Sequence, residues 1–372
     1  MQILESIQNN FGKNIENVES FTKKDSQKMK GIAILLLLFH HLFYKKNFWG
    51  GNNIGISFFT TGRIVHIAIF SKICVGMFVF ITGYGLAKSL MKIEKTGVAK
   101  WYNTRLKKNI LMCAYPITLS LIITELIDHR ASEFYFSGGV AKGIVRLIST
   151  YLCLDNVFNQ RLFVGAWWYL SAIIIFVIVV PMIFYMVKCI GSEFALLMVV
   201  IVPRVLKIDD LGGGNNPLSY LFVLTLGVIF AYQNVFAYVQ NRRKNLLQNI
   251  CLFLGLSVLL VGCYYIYLDL YETTWFEVYW GLIPVVAIVF SYQYVISIPL
   301  LSTVLNIFGK YSLYIFLTHA FIRAIYFKEF IYGMDNFVYM FFTCTGLSLL
   351  LALAIANSKK MFVYIAKRIM KK

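Results

Sequence analysis

Residues 30–44 read KGIAILLLLFHHLFY. Apart from Lys30 at its start and the adjacent His40 and His41, it is an almost unbroken run of apolar side chains. A transmembrane helix needs about 20 mostly apolar residues. Together with its flanking residues, the run predicts a first membrane-spanning helix over 30–48 that carries both histidines.

The composition of all 372 residues also indicates a membrane protein. Hydrophobic residues make up 59% of the chain and charged residues only 14%, whereas soluble domains carry about 25% charged residues. Most of the chain therefore avoids water. We predict an all-α fold, a polytopic bundle of about ten transmembrane helices.

Ten apolar segments are candidates for membrane spans. The fifth is short and is interrupted by Pro203, so a partial crossing is the alternative there. The predicted spans are 30–48, 64–87, 109–127, 164–187, 193–208, 217–237, 246–268, 276–296, 311–331 and 337–357.

The basic residues orient these spans, because Lys and Arg are enriched on the cytoplasmic side of membrane proteins. Ten spans with a cytoplasmic N-terminus place most of the 35 Lys and Arg residues in inner segments. We predict that both termini are cytoplasmic. The chain divides into a leader 1–29, a transmembrane domain 30–357 and a basic cytoplasmic tail 358–372.

Two segments outside the predicted spans carry apolar residues at helical spacing. Ile7, Phe11 and Ile15 recur every four residues, which suits either a short helix on the membrane surface or a solvated leader. Between the third and fourth spans, one helical face carries six apolar or aromatic residues, which predicts a helix lying in the outer interface. These residues are Val140, Ile144, Leu147, Ile148, Tyr151 and Leu152.

The net charge of +18 raises the alternative of a nucleic-acid partner. In so apolar a chain, the cations are better explained as anchors of cytoplasmic loops and of anionic lipid. We therefore expect membrane lipids and no nucleic acid as partners. The seven cysteines show no CxxC or CxxH spacing, so we predict neither a disulfide framework nor a metal site.

The two histidines of the first span are the leading functional candidates, because an ionisable side chain in lipid is costly. Eleven residues separate Lys30 from His41, a rise of about 16 Å, which puts His41 near the middle of the hydrocarbon core. The alternative is a structural role, in which one or both histidines form hydrogen bonds with a neighbouring helix. Helical periodicity does not choose between His40 and His41, which point about 100° apart.

Three further segments carry candidate residues, each with a purely structural alternative. The small residues around Tyr84 suit close helix packing or a channel wall. Arg105 and Lys108 lie one helical turn apart, which suits a membrane-anchoring basic cluster or a phosphate clamp. His319 lies nine residues after Lys310, about 13–14 Å along a helix. It therefore matches the depth of the first pair, and the two helices are expected to line one cavity.

In this order, these segments resemble the acyltransferase-3 family of membrane proteins. The family's Arg or Lys followed after ten residues by His is similar to Lys30 and His41, which favours His41 over His40. Its Phe-rich second span ending in a Ser-Gly-aromatic step resembles Phe78 to Tyr84, with Thr82 in place of Ser. The resemblance covers most of residues 28–357.

Three more motifs carry the same resemblance. The family's basic R-x-x-R is similar to Arg105-x-x-Lys108, with Lys in place of the second Arg. Its Trp-Tyr-Leu-Ser resembles Trp168 to Ser171, and its Gly-Lys-Tyr-Ser followed by His resembles Gly309 to His319. No hydrolase-like extracellular domain is present, although some members carry one.

The resemblance implies an enzyme that moves an acyl group, usually acetyl, from cytoplasmic acyl-CoA to a hydroxyl of a cell-surface or lipid-linked glycan. It implies His41 and His319 as catalytic residues, and Lys30, Arg105 and Lys108 as ligands of CoA phosphates. Direct transfer and an acyl-histidine step both stay open. We expect the substrate channel to be lined by His40, Tyr84, Trp168 and Tyr311.

The buried histidines leave two other functional classes to compare with an acyltransferase. A glycolipid flippase, polymerase or transporter would use the buried histidines for proton relay or substrate binding. A structural scaffold would leave those histidines unexplained. The abundance of Lys, Asn, Ile and Phe is typical of an AT-rich bacterial genome, so the expected location is the bacterial cytoplasmic membrane, with acyl-CoA as donor and no metal cofactor.

Overall fold

The computed structural model describes residues 20–93, 97–206, 215–241, 245–271 and 273–369. The leader residues Ile7, Phe11 and Ile15 lie outside these ranges. Within them the chain is helical, with one isolated β-bridge between Ile56 and Phe59. The prediction of an all-α fold is confirmed.

Fifteen α-helices follow one another in the described ranges. The helices are α1 (Lys23–Phe43), α2 (Thr61–Phe70), α3 (Ile73–Leu90), α4 (Val98–Asp128), α5 (Arg130–Phe136), α6 (Val140–Tyr151), α7 (Trp168–Cys189), α8 (Ser192–Val205), α9 (Leu221–Tyr232), α10 (Val235–Asn241), α11 (Leu246–Leu270), α12 (Ile283–Phe290), α13 (Pro299–Ala320), α14 (Lys328–Tyr332) and α15 (Phe337–Ile369). Turns of π-helix flank α12 at Glu277–Leu282 and Ser291–Val295, and extend α13 at Phe321–Tyr326.

Seven helical stretches in the described part of the chain are long and apolar enough to cross a membrane. They are Thr61–Leu90, Val98–Asp128, Gly165–Cys189, Leu246–Leu270, Glu277–Val295, Pro299–Tyr326 and Phe337–Arg368, and a shorter apolar helix covers Pro217–Tyr232. The chain is therefore a multi-pass membrane protein. The total of ten crossings and the cytoplasmic termini stay predictions.

Helix α1 begins and ends earlier than the predicted first span. Thr22 and Asp25 form a capping box: the Thr22 hydroxyl accepts from the Asp25 N–H at 3.2 Å, and the Asp25 carboxylate accepts from the Thr22 N–H at 3.0 Å. These bonds satisfy N–H groups that have no partner within the helix. Because the helix ends at Phe43, His40 and His41 lie in its last turn.

Two other elements differ in extent from the prediction. Helix α15 continues without a break through residue 357 to Ile369, so the described part of the predicted tail belongs to a helix. The predicted second span is divided at Ser71 and Lys72 into α2 and α3. The interfacial segment does form a helix, α6, which leaves Val140, Ile144 and Ile148 exposed.

Glycines bring α1 and α13 into backbone contact. A Cβ on Gly309 would overlap the carbonyl oxygen of Gln27, and a Cβ on Gly31 would overlap that of Leu305. Small residues allow membrane helices to approach this closely. The Gln27 side chain also donates to the Asn306 backbone oxygen at 3.0 Å. This contact sets the two helices side by side and thereby positions the histidines that each carries.

Candidate active site

His41 of α1 and His319 of α13 lie against each other. Their rings are stacked, with 5.0 Å between centroids and 29° between planes. His319 is only 1% exposed, whereas His41 is partly exposed and lines a cavity. The structure therefore brings together the two histidines whose depths match in the sequence.

His40 is held differently from His41. Its Nδ1 lies 2.7 Å from the backbone oxygen of Ala68, and its ring stacks on Tyr44 with 4.6 Å between centroids. A carbonyl oxygen only accepts hydrogen bonds, so Nδ1 of His40 is the donor. These contacts anchor α1 to α2, although the His40 side chain also reaches the cavity.

His319 is oriented by its own helix. Its Nδ1 lies 2.9 Å from the backbone oxygen of Phe316 and 3.3 Å from that of Ile315. Because both partners are acceptors, Nδ1 carries the proton, and in the neutral ring Nε2 keeps its lone pair. Nearby, the Trp167 indole N–H donates to the Leu317 backbone oxygen at 3.1 Å, which fixes the start of α7 against this part of α13.

One cavity of about 470 Å³ runs beside these residues. This volume lies within the range of about 300–1,000 Å³ that is usual for small-molecule sites. At one end the lining includes Lys30, and at the other it includes Tyr44, Lys45 and Lys72. The cavity therefore connects Lys30 with His41 along α1, over a rise of about 16 Å.

The expected substrate-channel residues divide between the cavity and its surroundings. His40 and Trp168 line the cavity, and the Trp168 ring stacks on Tyr220 with 6.0 Å between centroids. Tyr84 is buried against Phe21, with 5.0 Å between ring centroids. Tyr311 lines a separate groove on the opposite face of α13. The roles of Tyr84 and Tyr311 stay predictions.

The two predicted phosphate ligands lie on α4, the helix that also forms part of the cavity wall. Lys108 is exposed, and its charge acts electrostatically on Lys30. Arg105 is half-buried, with its guanidinium 6.0 Å from the centre of the Trp101 ring. The cavity wall itself includes Asn109, Met112 and Cys113 from the same helix.

The sequence analysis missed two basic residues near the histidines, Lys72 and Arg323. The Lys72 ammonium lies 3.3 Å from the Tyr271 hydroxyl and 5.1 Å from the centre of the Trp280 ring. The positive charge of Lys72 repels a proton on His40 and on His41. The positive charge of Arg323 has the same electrostatic effect on His40, His41 and His319. Lys72 and Arg323 both lie inside predicted spans. Because a charged side chain in a membrane span is a functional candidate, both could have been identified from the sequence.

The Arg323 side chain is partly exposed, but part of its guanidinium is enclosed. Its Nε and Nη1 atoms are inaccessible and make no hydrogen bond within the described ranges, and its guanidinium stacks on Phe48 at 4.8 Å from the ring centre. It is carried by the π-helical turn Phe321–Tyr326. Such turns often occur at functional sites. The result is a fixed positive charge behind the histidines.

The arrangement suits proton transfer in a partly enclosed, positively charged cavity. No three His, Cys, Asp or Glu side chains are grouped as metal ligands in the part of the chain that the structure describes. Within the described residues, the cavity is lined by three lysines, three cysteines and two histidines. Tyrosines are the other ionisable side chains in its wall.

A family model described as an acyltransferase domain, Acyl_transf_3, matches residues 28–357, nearly the whole chain. The chain belongs to the acyltransferase-3 family. No curated protein and no solved structure gives a significant match. Family membership gives the acyltransferase class, and the matched range contains His41, His319, Arg105 and Lys108.

Proposed function

We propose that this family member transfers an acyl group, acetyl in the first instance, from cytoplasmic acyl-CoA to a hydroxyl of a cell-surface or lipid-linked glycan. The main support is the stacked pair of His41 and His319, which lies beside a cavity that extends to Lys30. The family supports acyl transfer, and the cavity supports a route for the donor to the histidines.

The donor enters at the Lys30 end. Its phosphates are bound by Arg105 and Lys108, and Lys30 adds a further positive charge at the cavity mouth. Phosphate groups favour such clusters of charged donors. The narrow pantetheine arm then extends along α1, which places the thioester beside His41.

His41 acts as the general base. It takes the proton of the acceptor hydroxyl as the hydroxyl oxygen attacks the thioester carbonyl carbon. The new C–O bond forms, the C–S bond breaks, and the proton on His41 passes to the departing CoA sulfur. His41 suits this role because its side chain is exposed to the cavity, whereas His319 is enclosed behind it.

The neighbouring groups stabilise the charge that develops in this step. His319 orients the His41 ring through their stacked contact. The positive charges of Lys72 and Arg323 favour the negative charge on the thioester oxygen in the transition state. Fixed charges of this kind act strongly in a site that excludes water.

An assay of transfer tests the proposal and separates it from a flippase or transporter. Purified protein in nanodiscs receives acetyl-CoA with a radiolabelled acetyl group, together with bacterial envelope glycans and lipid-linked sugars. We expect release of CoA and alkali-labile label on the glycan. Absence of both, with every acceptor fraction, contradicts acyl transfer. A second test, acid quenching before acceptor is added, asks whether label is bound to histidine.

A further inference from the structure

A second cavity, of about 550 Å³, lies between α13 and the C-terminal half of α15. We call it the lysine groove, because Lys310, Lys359, Lys360 and Lys367 line it. Tyr311, Tyr314 and Tyr364 provide much of its wall. Among its lining residues in the described ranges there is no Asp or Glu, so the groove is uniformly basic.

The lysine groove is separate from the catalytic cavity. Ser312, Leu313 and Phe316 face the catalytic cavity, whereas Tyr311 and Tyr314 face the groove, so α13 forms a wall between the two. The groove lies toward the same end of the bundle as Lys30, because Gly309 contacts α1 at Gln27.

The lysine side chains of the groove run over aromatic and polar neighbours. The Lys310 ammonium lies 5.3 Å from the centre of the Tyr311 ring, and that of Lys359 lies 5.8 Å from the centre of the Tyr115 ring. Lys360 donates to the Asn357 side chain at 3.5 Å. Long basic side chains near the ends of membrane helices commonly cover apolar surface and keep their charge at the interface.

The wall of the groove between the lysines is aromatic and apolar. It consists of Ala356, Val363 and the three tyrosines. A ligand of this site therefore contacts hydrocarbon as well as four ammonium groups. A phosphate group attached to acyl chains has that combination, whereas the nucleotide end of CoA has the phosphates without the chains.

We propose that the lysine groove binds an anionic phospholipid, with its phosphate among the lysines and an acyl chain along Val363 and the tyrosines. Polybasic segments next to membrane helices attract anionic lipid headgroups. Here four lysines line one open groove, so their charges act together on one headgroup at this end of the bundle. Because α13 also carries His319, the bound lipid fixes the helix that completes the catalytic pair.

The binding is tested with full-length protein exchanged into nanodiscs or detergent that contains defined lipids. Native mass spectrometry compares retention of phosphatidylglycerol with that of phosphatidylcholine. We expect wild-type protein to retain phosphatidylglycerol at least about tenfold better, and the variant Lys310→Gln, Lys359→Gln, Lys367→Gln to lose this preference. The charge-matched control is Lys46→Gln, Lys142→Gln, Lys328→Gln, which changes three exposed lysines outside the groove.

Equal retention of the two lipids by wild-type protein contradicts the proposal, as does an unchanged preference in the groove variant. The corresponding triple Lys→Arg variant is expected to keep the preference, which separates loss of charge from loss of folding. Adenosine 3′,5′-bisphosphate, the nucleotide end of CoA, supplies the competing source of phosphate. Its displacement of the retained lipid from the groove would assign the site to the donor instead. Every readout is lipid binding, so failure of the acyltransfer proposal leaves this test intact.

Discussion

The rings of His41 and His319 stack with 5.0 Å between their centroids, although they belong to the first and thirteenth helices of the described chain. The contact depends on the glycines at which α1 and α13 touch. A change at His319 therefore alters the base without touching the substrate directly.

His319→Ala is expected to lower kcat about 100-fold, because His41 loses the ring that orients it. The KM for acyl-CoA is expected to change little, since the donor phosphates bind at the other end of the cavity. Steady-state CoA release at varied acetyl-CoA concentration measures both. A large rise in KM with an unchanged kcat would place His319 in donor binding instead.

Arg323→Gln is expected to lower kcat about 10- to 100-fold, because the transition state loses a fixed positive charge. Arg323→Lys keeps the charge and is expected to recover part of that loss. The comparison is made on CoA release, with thermal unfolding as the check on folding. Equal activity of the Lys and Gln variants would show that charge at this position is unimportant.

Arg105→Gln and Lys108→Gln are each expected to raise the KM for acyl-CoA roughly tenfold, through loss of a charge-assisted contact with phosphate. Lys107→Gln is the control, since Lys107 is exposed on the same helix and belongs to neither predicted contact. The effect is expected to shrink with added salt. An equal rise in KM in the Lys107→Gln control would show that Arg105 and Lys108 act only as part of a general basic cluster.

Gly309→Ala is expected to destabilise the protein by about 1–3 kcal/mol, because the new Cβ overlaps the Gln27 carbonyl oxygen and pushes α13 away from α1. Gly346→Ala is the matched control, because a Cβ there meets nothing within 4 Å. Thermal unfolding in detergent compares the two. If Gly309→Ala is as stable and as active as wild type, the backbone contact does not position the histidines.

The sequence predicted much of this arrangement, and particular residues show why. The apolar runs required helices in a membrane. The similar spacings of His41 from Lys30 and of His319 from Lys310, eleven and nine residues, predicted that the two histidines would line one cavity. The start of α1 was missed because the Thr22–Asp25 capping box lies upstream of the apolar run. A search for long apolar segments does not include the polar residues that cap a helix.

The parts that could not be predicted depend on contacts between distant segments. The π-helical turn that carries Arg323 forms without a local sequence signal, so neither the turn nor the approach of Arg323 to three histidines could be derived from periodicity. Likewise, helical periodicity did not distinguish His40 from His41, and only the family resemblance favoured His41. In the structure His40 is anchored by the backbone oxygen of Ala68 on another helix, whereas His41 meets His319.

Loss of the His41 side chain removes the proposed base for acyl transfer and leaves the donor site unchanged. His41→Ala and His66→Ala are assayed in parallel for transfer of labelled acetyl from acetyl-CoA, His66 being an exposed histidine on α2 outside the cavity. We predict that His41→Ala loses at least about 100-fold in kcat and still binds acetyl-CoA, while His66→Ala matches wild type. Full transfer activity in His41→Ala would contradict the account.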